Sequence, residues 1–487
     1  MWAHAEHLLN TIVNRLTLLA ILDTYTAESA TSKVSKLISS RSSPRICTMS
    51  TTTTTITVSE TLPEFKGNNA DVNRNLNKDL LSRPVSDADF RETVEMIKER
   101  LPNMKDTEAK FVVQLGLGQP LVLIDARKAE PTLEVLIGAI PDDIDAHIFS
   151  RTSSVKQLAR GNWDSRYAAR WGHLNLVSGK MRVSIKFGDA LTGTKWTHPK
   201  LSNLNFEELP KPTTDVAQVK RDLDRWGYGF IKDALSPAEV QKLKVRLAEQ
   251  AKGEDEAGKG VFDGGPTKPN QRVLCLPNKG QEFLDLLDHK VVDDYIPDLY
   301  GEDAILFSYT ANIARCGNVP MHLHTDQITI QPPIRSVAVG ANMAFFLDDV
   351  TAENGGTLIM PGTHKGNFAP DDPWDPTDTI AATGPAGTCM IFESRLWHAT
   401  GANTIPGSER PVLLLYFTRP WMRQQENFSL SLMDEVYDKC SDRVKAFLGF
   451  KMAGSVGSVQ GFGGTNGSIT RRPRGDEYIG VLGKAAA

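Results

Sequence analysis

Met321-His-Leu-His-Thr-Asp326 contains the one H-x-D spacing in this chain. In extended backbone, residues i and i+2 project to the same side, so His324 and Asp326 can reach one metal ion from a single strand. His322 faces the same way but would make H-x-H. Chance alone supplies such a triplet almost once in a chain of this composition, so the motif acquires meaning only from its surroundings.

Downstream, His398 stands 72 residues beyond Asp326 in Leu396-Trp-His-Ala-Thr-Gly-Ala-Asn403, shortly after an apolar run ending Ile391-Phe392. Two imidazoles and one carboxylate on one face leave three coordination positions open, the arrangement of non-haem iron(II) oxygenases. The H-E-x-x-H pattern of many zinc hydrolases is absent. Arg410 follows His398 by twelve residues, in Gly407-Ser-Glu-Arg-Pro-Val-Leu-Leu-Leu-Tyr416. A turn and a return strand would bring it beside the metal, where a guanidinium forks onto a carboxylate through two parallel hydrogen bonds. The plainer alternative is a surface ion pair with Glu409. The apolar strand that follows argues instead for burial and a paired role.

The flanks of the motif read as short β-runs separated by Gly, Pro and Asn turns, with strands expected at 304–309, 338–347, 356–360, 387–392 and 412–417. That rhythm points to a sandwich or jelly roll. Ser236 before Pro237 is an N-cap followed by an N1 proline, so a helix starts there and runs to about residue 252. Further upstream, Phe90, Val94, Ile97 and Leu101 recur at three and four residues and predict an amphipathic helix. Strands at 110–115, 121–125 and 146–149 and a short helix at 154–159 follow, and 181–191 closes the unit. The expected organisation is an extension and linker over 1–84, an α+β domain over 85–195, a linker over 196–214, a jelly-roll domain with flanking helices over 215–453, and a Gly-rich tail over 454–487.

The net charge of -4 offers no basic field for nucleic acid. Five scattered cysteines without a C-x-x-C pair argue against a disulfide framework or a thiolate zinc site and fit a reducing compartment. The apolar stretch 8–22 is interrupted by Asn14 and Arg15 and is too short to span a bilayer, so no transmembrane segment is expected. The expected location is the cytoplasm. A mitochondrial presequence over 1–48 is the alternative, and the final Lys484-Ala-Ala-Ala487 is not a peroxisomal tripeptide. His147, His173 and His364 are read as packed or surface residues.

Over about residues 215–425 the chain resembles the phytanoyl-CoA dioxygenase family. The resemblance is carried by Trp226-Gly-Tyr-Gly-Phe-Ile-Lys-Asp-Ala-Leu-Ser-Pro-Ala-Glu239, by His324-Thr-Asp326, by the segment 346–358 with its Glu353-Asn-Gly-Gly356 turn, by Met360-Pro-Gly-Thr-His364, and by His398 and Arg410. It implies a double-stranded β-helix, with iron(II) held by His324, Asp326 and His398 and Arg410 binding 2-oxoglutarate. It also implies dioxygen as co-substrate, and hydroxylation of a C–H bond with release of succinate and CO2. Thr325 departs from the Gln that many relatives carry at the middle of H-x-D, with Gln327 just outside. The lesser contacts to 2-oxoglutarate are therefore left open. A carboxylate at 326 also argues against halogenation, which needs that coordination position for halide.

The segments 145–154, 158–161, 172–179 and 185–188 resemble sterol carrier protein 2 type lipid-binding domains. That resemblance implies a lipid ligand in the N-terminal domain and a small lipophilic substrate. The competing reading is a non-catalytic lipid-binding or carrier protein on a jelly-roll scaffold.

Overall fold

Ten residues, Glu409–Thr418, form strand β15, the axis of the C-terminal half, and nearly all of them are buried. Successive side chains on a strand point to opposite faces, and here both faces are apolar. Leu413, Leu415 and Phe417 enter one core, while Val412 and Leu414 enter or border another. Such a strand is covered on both sides, which explains its near-continuous Val-Leu-Leu-Leu-Tyr-Phe run.

The computed structural model describes residues 61–65, 78–136, 139–327 and 330–458. The expected presequence, most of the expected extension and linker before residue 78, and most of the Gly-rich tail lie outside the described residues. Strands β1 (Lys110–Gln114), β2 (Leu121–Asp125), β3 (Thr132–Leu136), β4 (Ala146–Ser150) and β5 (Leu174–Gly179) make one sheet in the order β3-β2-β1-β4-β5, and β1 and β4 run parallel. Helices Asp87–Glu99, Thr152–Ala159, Ser165–Arg170 and Met181–Thr192 accompany it. Phe90, Val94 and Ile97 of the first helix share a core with Phe111, Val113, Ile148 and Phe187, as the three-four spacing predicts.

The second sheet has seven antiparallel strands: β6 (Tyr228–Ile231), β13 (Cys389–Glu393), β10 (Gly340–Phe346), β15, β9 (Ile305–Arg315), β8 (Asn270–Val273) and β7 (Val261–Asp263), in that order. One face packs against helices Val216–Trp226, Pro237–Glu256 and Gln281–Leu287 and the helical segment after residue 428. The other face looks toward a small sheet, β12 (Ile380–Ala381), β11 (Leu358–Ile359) and β14 (His398–Ala399). Helix Pro237–Glu256 starts as its sequence predicts. The Ser236 hydroxyl accepts from Glu239 N–H at 3.4 Å, and the Glu239 carboxylate accepts from Ser236 N–H at 2.8 Å. A cap of this kind stabilises by ~1 kcal/mol.

The expected strand 304–309 extends to Arg315, whereas the expected 356–360 shortens to two residues. Among the described residues no helix is long and apolar enough to cross a membrane.

Candidate metal centre

His324 and His398 are held face to face by their own backbones. The N–H of each donates to the carbonyl of the other at 2.9 Å, an antiparallel bridge that extends the small sheet. His398 is further fixed in β14, opposite Ile359 of β11. The Nδ1 of His324 lies 3.0 Å from the His322 carbonyl, and Nδ1 of His398 lies 3.0 Å from the Leu396 carbonyl. A carbonyl only accepts, so each Nδ1 carries the proton and each Nε2 presents a lone pair. Asp326 Oδ1 is 3.8 Å from His324 Nε2 and 3.6 Å from His398 Nε2. The three ligand atoms all lie within 4.8 Å of one another. Burial pushes the His324 imidazole well below its usual pKa, with His398 and His322 adding to the effect and Arg170 contributing a smaller part. It therefore stays neutral, as ligation requires.

The seven-stranded sheet supplies the opposite wall. Asn342 of β10 sits in register between Phe392 of β13 and Tyr416 of β15. Its Nδ2 donates to Asp326 Oδ2 at 2.9 Å, which leaves Oδ1 as the oxygen turned to both imidazoles. The Phe392 ring packs against His398 with centroids 4.7 Å apart.

Arg410 lies on the same face of β15 as Val412 and Leu414 and is only 2 % exposed. Its Nη2 donates to the Gly355 carbonyl at 2.6 Å, while Nε is buried without a partner. Gly355 adopts φ +91°, a left-handed turn that glycine reaches without strain, and this turn offers the carbonyl. A Cβ on Gly401 would stand 2.4 Å from the Gly356 carbonyl, so glycine there lets the loop after β14 pass beside the turn. Glu409 does not neutralise Arg410, because it pairs with Arg315 at 2.6 Å. Burial, with Arg272 adding, pushes the Arg410 guanidinium down to about 9. A buried cation of this kind calls for an anionic partner.

The donor set, two imidazoles and a carboxylate, fits a ferrous ion. The Arg410 guanidinium, with its Nε unpartnered, fits the far carboxylate of 2-oxoglutarate. His364, His173 and His147 are not among the clustered ligands. His364 Nε2 meets the Asp224 carbonyl at 2.9 Å, and the ring packs where a Gly227 Cβ would stand. His173 stacks on Trp163 with centroids 4.2 Å apart, and His147 is buried. Gln327 turns away to Ser394, its Nε2 donating to Oγ at 3.2 Å. Asn342 was not foreseen. Its signal was a polar residue at an inward position of the otherwise apolar run Gly340-Ala-Asn-Met-Ala-Phe-Phe346.

The profile of the phytanoyl-CoA dioxygenase (PhyH) family matches residues 223–411. Dioxygenase af480 of Aspergillus fumigatus is 30% identical over 247 residues, covering 50% of this chain and 80% of that protein. Dioxygenase swnH2 of Arthroderma benhamiae is 37% identical over 260 residues, covering 49% of this chain and 82% of that protein. Among solved structures, HygX of Streptomyces hygroscopicus, determined with nickel, 2-oxoglutarate and hygromycin B bound, aligns with a TM-score of 0.35 at 15% identity, over 43% of this chain and 89% of HygX. On its family profile and these relatives, the chain belongs to the phytanoyl-CoA dioxygenase family and is a non-haem iron, 2-oxoglutarate-dependent dioxygenase.

Proposed function

We propose that His324, Asp326 and His398 hold iron(II), that Arg410 binds 2-oxoglutarate, and that the enzyme hydroxylates a C–H bond of a small lipophilic substrate. The observation that carries this reading is the convergence of His324 Nε2, His398 Nε2 and Asp326 Oδ1 within 4.8 Å, with the Nδ1 of each histidine held by a backbone carbonyl.

Iron(II), when bound, supplies the redox chemistry by which dioxygen and 2-oxoglutarate become CO2, succinate carrying one oxygen atom, and a hydroxyl on the substrate carrying the other. The chain's own part is geometric and electrostatic. His324 and His398 contribute imidazole donors and Asp326 the single negative charge. Arg410 orients the keto-diacid by its distal end, because a guanidinium fixes a planar carboxylate in two directions at once. Phe392, Val412 and Leu414 supply apolar surface on the inner face of the sheet and keep water out. The same surface supports a lipophilic substrate, and the resemblance of residues 85–195 to sterol carrier domains supports a lipid ligand there. We place the oxygenase domain at 215–453.

The test is anaerobic reconstitution of the purified chain with iron(II), admission of air, and quantification of succinate formed from 2-oxoglutarate. The expected result is turnover in the wild type that disappears in His398→Ala. Equal background in both would instead support the non-catalytic lipid-binding reading.

A further inference from the structure

We propose that the N-terminal region is a working part of the oxygenase centre: through Trp196 and helix Ser165–Arg170 it holds residues 331–335 and Trp397 beside the segments that bear the three ligands, which makes Trp196 a positioning residue. The inference rests on the reading of His324, Asp326 and His398 given above and extends it to the other half of the chain.

Two guanidiniums lie against Trp196. The Arg335 guanidinium lies 4.1 Å from its ring centroid and that of Arg166 lies 4.4 Å away. Its indole N–H donates to Asp189 at 3.1 Å, and the same carboxylate oxygen accepts from Arg166 at 3.0 Å. Asp189 is thus the counter-ion that allows two guanidiniums to share one ring. Asp164, the N-cap of helix Ser165–Arg170, adds two more ties. Its backbone N–H donates to the Gln331 side chain at 2.9 Å, and its carboxylate is 3.7 Å from Arg335. Arg166 also lies 5.7 Å from the Trp397 ring. Arg170 follows Arg166 by four residues, on the same side of the helix. The chain beyond Trp196 continues the contact, with Thr197 N–H donating to the Asn367 carbonyl at 2.8 Å.

The neighbours of these contacts carry the consequence. Trp397 precedes His398, and Thr325 lies between His324 and Asp326. Both side chains border a space whose lining does not include the three ligands. There Thr325, Gln327 and Trp397 line a cavity together with Arg166, Trp196 and Arg335. Open space beside the chain neighbours of the ligands leaves those neighbours free to shift unless something braces that space. The Trp196 clamp spans it. A displacement of about 1 Å in a reacting geometry costs up to ~100-fold in rate.

The test uses the full-length chain as wild type, Trp196→Ala, Trp196→Phe and Arg335→Ala. Arg335→Ala opens the clamp from the oxygenase side without cutting into the N-terminal core, and so covers the case in which Trp196→Ala fails to fold. Three readouts are taken: amide hydrogen exchange of residues 330–337 in metal-free protein, cobalt(II) affinity by absorption titration, and kcat and KM for 2-oxoglutarate from succinate release. The expected result for both alanine variants is exchange at least ~10-fold faster over 330–337, and kcat lower by ~10-fold with KM little changed. Trp196→Phe, which keeps a ring for stacking, should recover most of both. Unchanged exchange, or faster exchange with kcat and cobalt affinity both intact, would overturn the proposal by reducing the contact to simple packing. Absence of succinate in the wild type would bring down the oxygenase reading and this proposal with it. That outcome is distinct from a wild type that turns over beside variants that match it.

Discussion

Asn342 Nδ2 donates to Asp326 Oδ2 at 2.9 Å, so an uncharged side chain on the central sheet decides which carboxylate oxygen faces the two imidazoles. Asn342 is 8 % exposed and is anchored in β10 between two paired strands, whereas Asp326 sits in a turn after the bridge at His324. The rigid partner therefore orients the less constrained one. Partners of this kind are typically worth ~10–100-fold in metal affinity.

Asn342→Ala should accordingly weaken iron(II) or cobalt(II) binding by ~10–100-fold, measured by anaerobic titration. Asn342→Asp should be worse, because it sets a second negative charge against Asp326. An affinity equal to wild type in Asn342→Ala would show that the Asp326 turn orients itself.

Arg410 has a buried Nε without a partner and no carboxylate paired with it among the described residues, so its loss should register on the co-substrate. Replacing it by lysine keeps the charge and removes the fork. Removal of one partner from a buried charge pair costs ~2 kcal/mol or more, so KM for 2-oxoglutarate should rise by about 30-fold or more in Arg410→Met and by less in Arg410→Lys. The kcat should fall less. Steady-state succinate assays over a 2-oxoglutarate series check this, and an unchanged KM would remove Arg410 from the binding site.

A third prediction concerns acid stability. Asp378 accepts from His198 at 2.7 Å, from Lys200 at 3.0 Å and from Leu201 N–H at 3.2 Å, and these contacts hold its carboxyl down at about 2 against an ordinary value of 3.8. The folded state thus takes up this proton at lower pH than the unfolded chain does. The stabilisation is fully present above pH ~4 and is lost as pH falls toward ~2. Asp378→Asn should remove that part of the pH dependence, read from urea midpoints across the acid range. Parallel midpoint curves for variant and wild type would contradict it.

The sequence disclosed the chemistry more fully than the architecture. His324 and Asp326 are two residues apart, a spacing that brings both to one metal even though the extended strand expected there is only a bridge at His324 followed by a turn at Asp326. His398 and Arg410 were legible because long apolar runs flank them. Asn342 was not, since one asparagine in an apolar strand announces no partner 16 residues away. The far half of β9 was missed for a related reason. Thr310 and Asn312 point inward to a polar part of the interior, where Asn312 donates to Thr400 at 3.1 Å, and they interrupt the apolar pattern that marks a buried strand. Strands β6, β7 and β8 are three or four residues long, too short to show a period. The clamp around Trp196 joins residues more than a hundred positions apart in an order no spacing rule predicts.

The most direct measurement is an anomalous difference map at the iron edge, from crystals grown anaerobically with iron(II) and 2-oxoglutarate. One peak is expected, bounded by His324 Nε2, Asp326 Oδ1 and His398 Nε2, with the distal carboxylate of 2-oxoglutarate against Arg410. Iron at any other place, or 2-oxoglutarate bound with Arg410 uninvolved, would contradict it.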